Sequence, residues 1–406
     1  MNVEADIVVV GGGPCGSFSA LTATKLGAEV VVCEEHGEIG VPAHCSGHVS
    51  LRGLERLGLR LPKEIIENEV KGAVFYSPFG EEFRVKCTSP VSLVINREAF
   101  DKHLSDLAMK AGVRYLLKSR VESFLLDSGF ITGVKVRRGG AKETLGSHVV
   151  IDAEGCSSAL LKRTGLKPVG RSMVVNAVQA EVDLVGEVSV DTVEVYLGRR
   201  FAPGFFAWII PKRDSSAKVG LATSRDNPRA YLRRFMRDHP IASKKLSKSK
   251  ITRLTFHPIP LGGPIPKTYS NGLLIVGDAA SHVKPTTGGG IIFGLLCSKM
   301  AGEVAYQAVK YQNYSENFLL RCQSLWKEAI GFDMMVMRQA RKLLNRLTDK
   351  KIDKIIKICV KLGVDKILEG VKDLDFQGSL LIRLILHPAT SIAALYFLLS
   401  SLTSQT

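Results

Sequence analysis

Residues 11–16, Gly-Gly-Gly-Pro-Cys-Gly, place Gly11, Gly13 and Gly16 at G-x-G-x-x-G spacing. A run of β-formers, Ile7–Val10, precedes them, and a helix-compatible stretch, Ser17–Leu26, follows. Such a turn serves the phosphates of a dinucleotide. Gly11 permits the tight reversal, Gly13 lets backbone amides approach a pyrophosphate, and Gly16 lets the helix pack close to the strand. The helix start adds unpaired N–H groups and the positive end of its dipole. Glu34 closes the next apolar run, 18 residues beyond Gly16, where a carboxylate accepts the ribose hydroxyls of an adenosine. A second signature lies in the last third. Gly272–Val276 reads as a buried strand ending in Gly277-Asp278, and an aspartate there hydrogen-bonds a ribityl chain. Thr286-Thr287-Gly288-Gly289-Gly290 then opens an apolar helix at Ile291, a start that stabilises negative charge at the pyrimidine end of a reduced flavin. Together the two signatures point to FAD rather than NAD.

The scaffold that must carry these turns is α/β. The strands before Gly11 and Gly277 are continuously apolar, as buried parallel strands are. Arg97–Val113 repeats Phe100, Leu104, Leu107 and Ala108 at helical spacing, and Val121–Leu126 with Ile131–Arg137 reads as a hairpin about Asp127-Ser128-Gly129. Val70–Tyr76, Phe83–Cys87 and the stretch from Met173 to Pro258 read as alternating strands. After Gly302 the pattern is helical. The reading is a discontinuous Rossmann-like FAD-binding domain (1–70, 93–165 and 260–305), a β-rich substrate domain (71–92 and 166–259) and a helical C-terminal domain (306–406). At 406 residues the chain can bury a large core over two or three domains. No repeats or low-complexity linker interrupt it.

The net charge of +16 implies anionic partners. Arg338, Arg341, Lys342, Arg346, Lys350, Lys351, Lys354, Lys357 and Lys361 alternate with apolar residues at amphipathic spacing, which suits anionic headgroups on a membrane surface or a solvated cap over an apolar tunnel. Leu380–Leu386 and Ile392–Leu399 are apolar but short of the ~20 residues that span a bilayer. Nucleic acid is disfavoured, because no recognition module accompanies the charge. The first residues lack a basic n-region, so no secretory signal is expected, and the eight cysteines, without C-x-x-C pairing, read as reduced thiols. The expected location is cytoplasmic, peripheral on the inner face of the membrane.

The Gly11–Gly16 motif, Glu34, Arg97 after Val94-Ile95-Asn96, and Gly277-Asp278 with its glycine triplet resemble FAD enzymes of the p-hydroxybenzoate hydroxylase fold. Two segments resemble the geranylgeranyl reductase branch: Gly40-Val41-Pro42-Ala43-His44-Cys45-Ser46-Gly47-His48, and Pro203-Gly204-Phe205-Phe206-Ala207-Trp208-Ile209-Ile210-Pro211, which is similar to P-x-x-Y-x-W-x-F-P. The resemblance spans residues 5–305 and implies saturation of C=C bonds in polyprenyl chains, in archaea those of digeranylgeranylglycerol lipids. It implies FAD contacts from Gly11, Gly13, Pro14, Cys15, Gly16, Glu34 and Glu35. Further contacts are implied from Cys45, Ser46, Gly47, Arg97, Val121, Asp278, Gly288, Gly289, Gly290 and Ile291. Cys45, Phe206 and Trp208 are the implied catalytic residues, and Phe206, Trp208, Pro211 and His48 line the substrate. The chain departs from the family at Phe206 and Ile210, and at Glu154-Gly155, where the hydroxylases place an Asp-Gly serving both FAD and NADPH.

An isolated prenyl double bond is not electrophilic, so a proton must accompany or precede the hydride, and positive charge develops at the more substituted carbon. Such a state favours a dry slot, an aromatic face and one proton donor. Phe206 and Trp208 project to one side of a strand, with Phe205 on the other. Trp208 is the candidate π face and Cys45 the candidate for positioning or proton relay, against readings of both as ordinary core. Pro203 and Pro211 suit an edge strand. His44, Cys45 and His48 lack a fourth ligand, so no metal is expected. The electron donor stays open among NAD(P)H, reduced deazaflavin and ferredoxin. Open alternatives are reduction of a chlorophyll precursor or menaquinone, a flavin monooxygenase or halogenase, an electron carrier to quinone, and a lipid-binding flavoprotein that does not turn over.

Overall fold

The structure is a computed structural model that describes residues 3–183, 186–371, 373–388, 390–391, 396–397 and 400. The apolar segment 392–399 lies largely outside the described residues. The chain divides into two compact units, one of residues 1–43, 97–171 and 260–334, the other of 44–96, 172–259 and 335–406.

The first unit is built on an eight-stranded sheet. Its path runs Tyr269–Ser270, Leu273–Ile275, Ala141–Asp152, Val3–Val10, Val30–Cys33 and Arg114–Leu116. The hairpin Ser119–Asp127 and Phe130–Arg138 is antiparallel and joins the sheet at Ala141–Asp152. Val3–Val10 is central and parallel to both neighbours, with Val10 opposite Cys33 on one side and Asp152 on the other. The carboxyl ends of these strands therefore fall on one edge of the sheet, where parallel α/β folds place their ligands. Ile7–Val10 and Val149–Ile151 of the two central strands are almost wholly buried, which is why they read as unbroken apolar runs. The helices Pro14–Leu26 and Ile291–Lys310 pack on one another through small residues. A Cβ on Gly302 would stand 2.5 Å from the Ser19 carbonyl oxygen.

The second unit carries a seven-stranded sheet in the order Ile251–Pro260, Val174–Asp183, Ser216–Thr223, Phe206–Pro211, Thr192–Leu197, Gly72–Tyr76 and Glu82–Lys86. One face presents Val178, Ala180, Val219, Leu221, Ala207 and Ile209 to Leu232, Phe235, Ala242 and Leu246 of the helices Pro228–Asp238 and Ala242–Leu246. Period-2 alternation sends Gln179, Glu181, Lys218, Gly220, Phe206 and Trp208 to the opposite face. A three-stranded sheet of His48–Ser50, Ser92–Ile95 and Ile66–Val70 contributes Val70 and Val94 to a cluster with Val193, Ile210 and Trp208. The helix Asp349–Lys361 and the residues after it pack on the last strands through Phe83, Ile356 and Val364.

One expectation is corrected here. The strand Phe206–Pro211 is not at an edge; it pairs with Thr192–Leu197 on one side and Ser216–Thr223 on the other. Pro203 lies before the strand, and Pro211 is its last residue, opposite Ala217, with the next backbone bond made by the Lys212 N–H to the Ser216 carbonyl at 2.8 Å. The basic stretch 338–361 is likewise two helices, Phe332–Leu344 and Asp349–Lys361, broken about Arg346.

Candidate cofactor and substrate sites

In the first unit the glycine turn has the geometry its spacing predicts. Gly11 adopts φ +93°, and a Cβ on it would stand 2.5 Å from the Ala153 carbonyl oxygen. A Cβ on Gly16 would stand 1.9 Å from the Gly11 oxygen, so only glycine lets this helix sit so close to its strand. Gly13 differs: nothing lies within 4 Å of where its Cβ would be, and the turn faces open space there. Gly13 precedes the helix without a side-chain cap, and Pro14 occupies the first turn, where an N–H has no helical partner. Glu34 is buried and held from two directions. Its Oε2 accepts the Gly12 N–H at 2.7 Å and its Oε1 accepts the His36 N–H at 2.9 Å. Glu35 is exposed, 3.6 Å from Arg120.

The Cys15 thiol points inward, between the Gly277 turn and the helix Ile291–Lys310. Cβ atoms on Gly277 and Gly294 would stand 2.9 Å and 2.7 Å from its sulfur. Burial, with the Asp278 charge beside it, pushes the thiol up to about 12, so it stays neutral and acts as a packing spacer. Cys15 thereby joins the first glycine turn to the second. Asp278 Oδ1 is 3.2 Å from the position of a Cβ on Gly290. The Gly288 N–H donates to the Lys284 carbonyl at 2.8 Å, and Gly289 returns an acceptor to the Lys284 N–H at 3.1 Å. Gly290 starts the helix with no side-chain cap, and Ile291 is half-buried. Two uncapped helix starts and a carboxylate thus converge around Cys15, an arrangement for a long anionic ligand.

Arg97 forms a bidentate pair with Asp101, one turn along its helix, at 3.0 and 2.9 Å. Burial raises the Asp101 carboxyl although Arg97 opposes the shift. Val121 is half-buried against the sheet core. Glu154, read in the sequence only as a departure, caps a turn: its carboxylate accepts the N–H groups of Ala159, Leu160 and Leu161 at 2.7–3.0 Å. Its own N–H donates to Asp152 Oδ1 at 3.0 Å, and burial pushes the Asp152 carboxyl well above the carboxylate range.

In the second unit the Cys45 loop is tied down along its length. Gly47 (φ +70°) accepts the Ile95 N–H at 2.8 Å and donates to the Cys45 sulfur at 3.4 Å. A Cβ there would stand 2.2 Å from the Ile95 oxygen. His48 Nε2 meets Ser92 Oγ at 2.7 Å, His44 stacks on His257, and Ser46 is half-buried. Beside Gly47 lies Lys218, buried, donating to the Ile95 carbonyl at 3.1 Å and paired with Glu67 at 2.5 Å. Phe206 stands edge-on to Trp208 at 6.0 Å and stacks on Phe205 at 4.2 Å. Phe205 in turn lies under the buried Arg341 guanidinium, 4.7 Å from its ring. Pro211 is buried, its carbonyl accepting from Asn68 at 2.9 Å. Lys218, Glu67 and Gln179 were missed in the sequence, and Arg341, read there as part of a basic surface face, is buried instead. The one signal for Lys218 was a charged residue among the small and apolar residues of its strand, whereas Gln179 shares its strand with Asn176, Glu181 and Asp183 and does not stand out.

The glycine turns, the buried Glu34 and the paired uncapped helix starts define a nucleotide-binding flavoprotein fold, and comparison with known proteins agrees. A profile described as FAD binding domain matches residues 4–295. Digeranylgeranylglycerophospholipid reductase 2 of Methanopyrus kandleri is 32% identical over 374 residues, 91% of this chain and 93% of that one. A geranylgeranyl bacteriochlorophyll reductase-like protein of Thermoplasma acidophilum superposes with a TM-score of 0.83 at 30% identity, covering 87% of this chain and 91% of that one. The flavin-dependent brominase Bmp2 superposes at 0.71 with 18% identity over 96% of this chain and 97% of its own, which shows the fold alone. The chain belongs to the digeranylgeranylglycerophospholipid reductase family. It is an FAD-dependent oxidoreductase.

Proposed function

We propose that this chain saturates C=C bonds in the polyprenyl chains of an anionic membrane-lipid precursor. The observation that carries the reading is the setting of Trp208. Its indole is half-buried among Val70, Val94, Val193 and Ile210, with Phe206 edge-on beside it. Reduction of each bond adds one hydride and one proton, and bound FAD, once reduced, supplies the hydride. Gly11, Gly13, Pro14 and Gly16 would hold the pyrophosphate and Glu34 the adenosine. Asp278, Arg97 and Gly288–Ile291 would hold the ribityl chain and ring. The open first turns of two helices and the space above Gly13 fit that group.

The apolar residues around Trp208 exclude water, so charge developing on the alkene meets the indole face in a poorly screened site. Such a contact is worth ~2 kcal/mol when desolvated. Phe206 has no hydroxyl and acts by packing. His48 and Pro211 would border the chain, and Cys45 would position the alkene or relay its proton. Trp208→Ala is expected to lower turnover roughly thirtyfold and Trp208→Phe less, in line with the loss of that contact. The measurement is mass spectrometry of lipids from cells co-producing the chain with a digeranylgeranylglycerol phosphate pathway. Gains in steps of two hydrogens are expected. Unchanged lipids from flavin-loaded enzyme supplied with dithionite would exclude this substrate class, and Cys45→Ser with unaltered turnover and products would remove Cys45 from the chemistry.

The basic helices Phe332–Leu344 and Asp349–Lys361 suit a peripheral hold on the membrane that supplies such a lipid. Among the described residues no helix is long and apolar enough to cross a membrane. Salt-sensitive sedimentation with anionic vesicles is expected, and its absence would separate the enzyme from the membrane.

A further inference from the structure

We propose that Gln179 is a positioning residue that holds the Trp208 indole and the Cys45 loop in one register. The proposal rests on the reading above, in which both address the substrate. Gln179 is buried on the strand Val174–Asp183, opposite Gly220, which is opposite Trp208 on the next strand. Gly220 has no side chain to separate the outer two, and a Cβ there would stand 2.5 Å from the indole ring. Across that gap Gln179 Oε1 accepts the Trp208 Nε1–H at 3.2 Å. Its Nε2 donates to the Cys45 carbonyl at 3.4 Å.

The partners dictate the orientation of the amide. An indole N–H only donates and a backbone carbonyl only accepts, so the oxygen must face the tryptophan and the nitrogen the loop. Glutamine carries both functions at this reach. A carboxylate keeps the acceptor and loses the donor, and an aliphatic side chain loses both. The Gly47 and His48 contacts fasten the loop beyond Cys45, while Gln179 ties the cysteine's own backbone to the aromatic face. It touches no reacting atom in this arrangement; it acts through Trp208 and Cys45.

The test uses flavin-loaded enzyme labelled with 5-fluorotryptophan. The sequence has two tryptophans, so two fluorine resonances are expected, with Trp208→Phe identifying the relevant one. Gln179→Leu is expected to shift the Trp208 resonance and to speed iodoacetamide labelling of Cys45, mapped by peptide mass, about fivefold. It should also lower kcat about tenfold with KM within about twofold, as loss of a shared positioning contact would. Gln179→Glu should leave the Trp208 resonance near its wild-type place while still freeing Cys45. Flavin content, read from absorbance, identifies a variant that has failed to fold, and Gln179→Glu then carries the test. Wild-type resonance and labelling in Gln179→Leu would overturn the bridge. Changes in both with unaltered kcat and products would overturn its role in the reaction. The fluorine and labelling measurements need no substrate. A wild-type enzyme that reduces no prenyl lipid would therefore overturn the functional reading, and the kinetic role with it, while the bridge is judged separately.

Discussion

Gly13→Ala is expected to fold normally and bind FAD poorly, whereas Gly16→Ala loses flavin and stability together. The two glycines stand three residues apart in one turn, yet their surroundings differ. Gly13 has φ −64°, an ordinary value for alanine, and its added methyl would enter open space. On the proposed cofactor site that space is where the pyrophosphate comes close to the backbone, so the methyl would obstruct the ligand and leave the fold alone. FAD affinity should fall by roughly tenfold to a hundredfold, a loss of about 1.4–2.8 kcal/mol. The melting temperature of the flavin-free chain should move by no more than about 2 °C. At Gly16 the methyl meets the Gly11 carbonyl at 1.9 Å, backbone against backbone, with no rotamer to relieve it. The helix must shift from its strand, at ~3–5 kcal/mol. Flavin absorbance of the purified proteins and melts without flavin separate the two cases. A Gly13→Ala protein that keeps wild-type affinity would show that the ligand does not approach that turn.

His239 gives the second large effect, in the acid range. It is buried against Tyr196, Phe201 and Phe235, and its Nδ1 accepts the N–H groups of Ile241 and Ala242, both at 3.2 Å. That nitrogen caps the next helix only while unprotonated. Burial, and secondarily the nearby Arg200 charge, lower the imidazole from 6.5 to about 4. The folded-state pKa is depressed, so the unfolded chain binds the proton first as pH falls below 6.5. Stability is full above that pH and is lost progressively down to about pH 4. The loss is ~3 kcal/mol, from about 2.5 pH units at ~1.4 kcal/mol each. His239→Asn retains an acceptor for the same two amides and removes the titration. Urea unfolding at pH 7 and pH 4 should therefore show the wild type losing about 3 kcal/mol more than His239→Asn. Parallel losses would mean that the ring protonates in place.

The first unit was the more legible in the sequence because its chemistry is written in the backbone. Gly11, Gly16 and Gly277 are needed where chain meets chain closely, and such needs survive as residue types at fixed spacings. Glu34 was legible for the same reason, at the end of a buried strand beside the turn. Arg97 was read toward the flavin, but its tie to Asp101 is an i,i+4 pairing that spacing alone does not single out from other charged pairs on a helix. Cys15 was expected at the cofactor, and what spacing did not show is that its thiol packs against Gly277 and Gly294. In the second unit the alternation gave the faces of Phe206 and Trp208 but not the strand's place in the sheet. Strand order is set by long-range pairing, which leaves no local trace. Gln179 and Lys218 were invisible for a related reason. Their partners Trp208, Cys45 and Glu67 are remote in the chain, and a polar residue in a strand does not name its partner.

On the proposed function, Gly220 also bears on the stereochemistry of the product. The indole sits so close to this residue that a Cβ there would stand 2.5–2.8 Å from three of its ring atoms, so position 220 governs how the ring is set. An alkene that reaches Trp208 from one side presents the same prochiral face each time a new isoprene unit arrives. On the proposed function, every newly saturated methyl-bearing carbon would then share one handedness. A larger residue at position 220 would tilt the ring and put that uniformity at risk before it stopped the reaction.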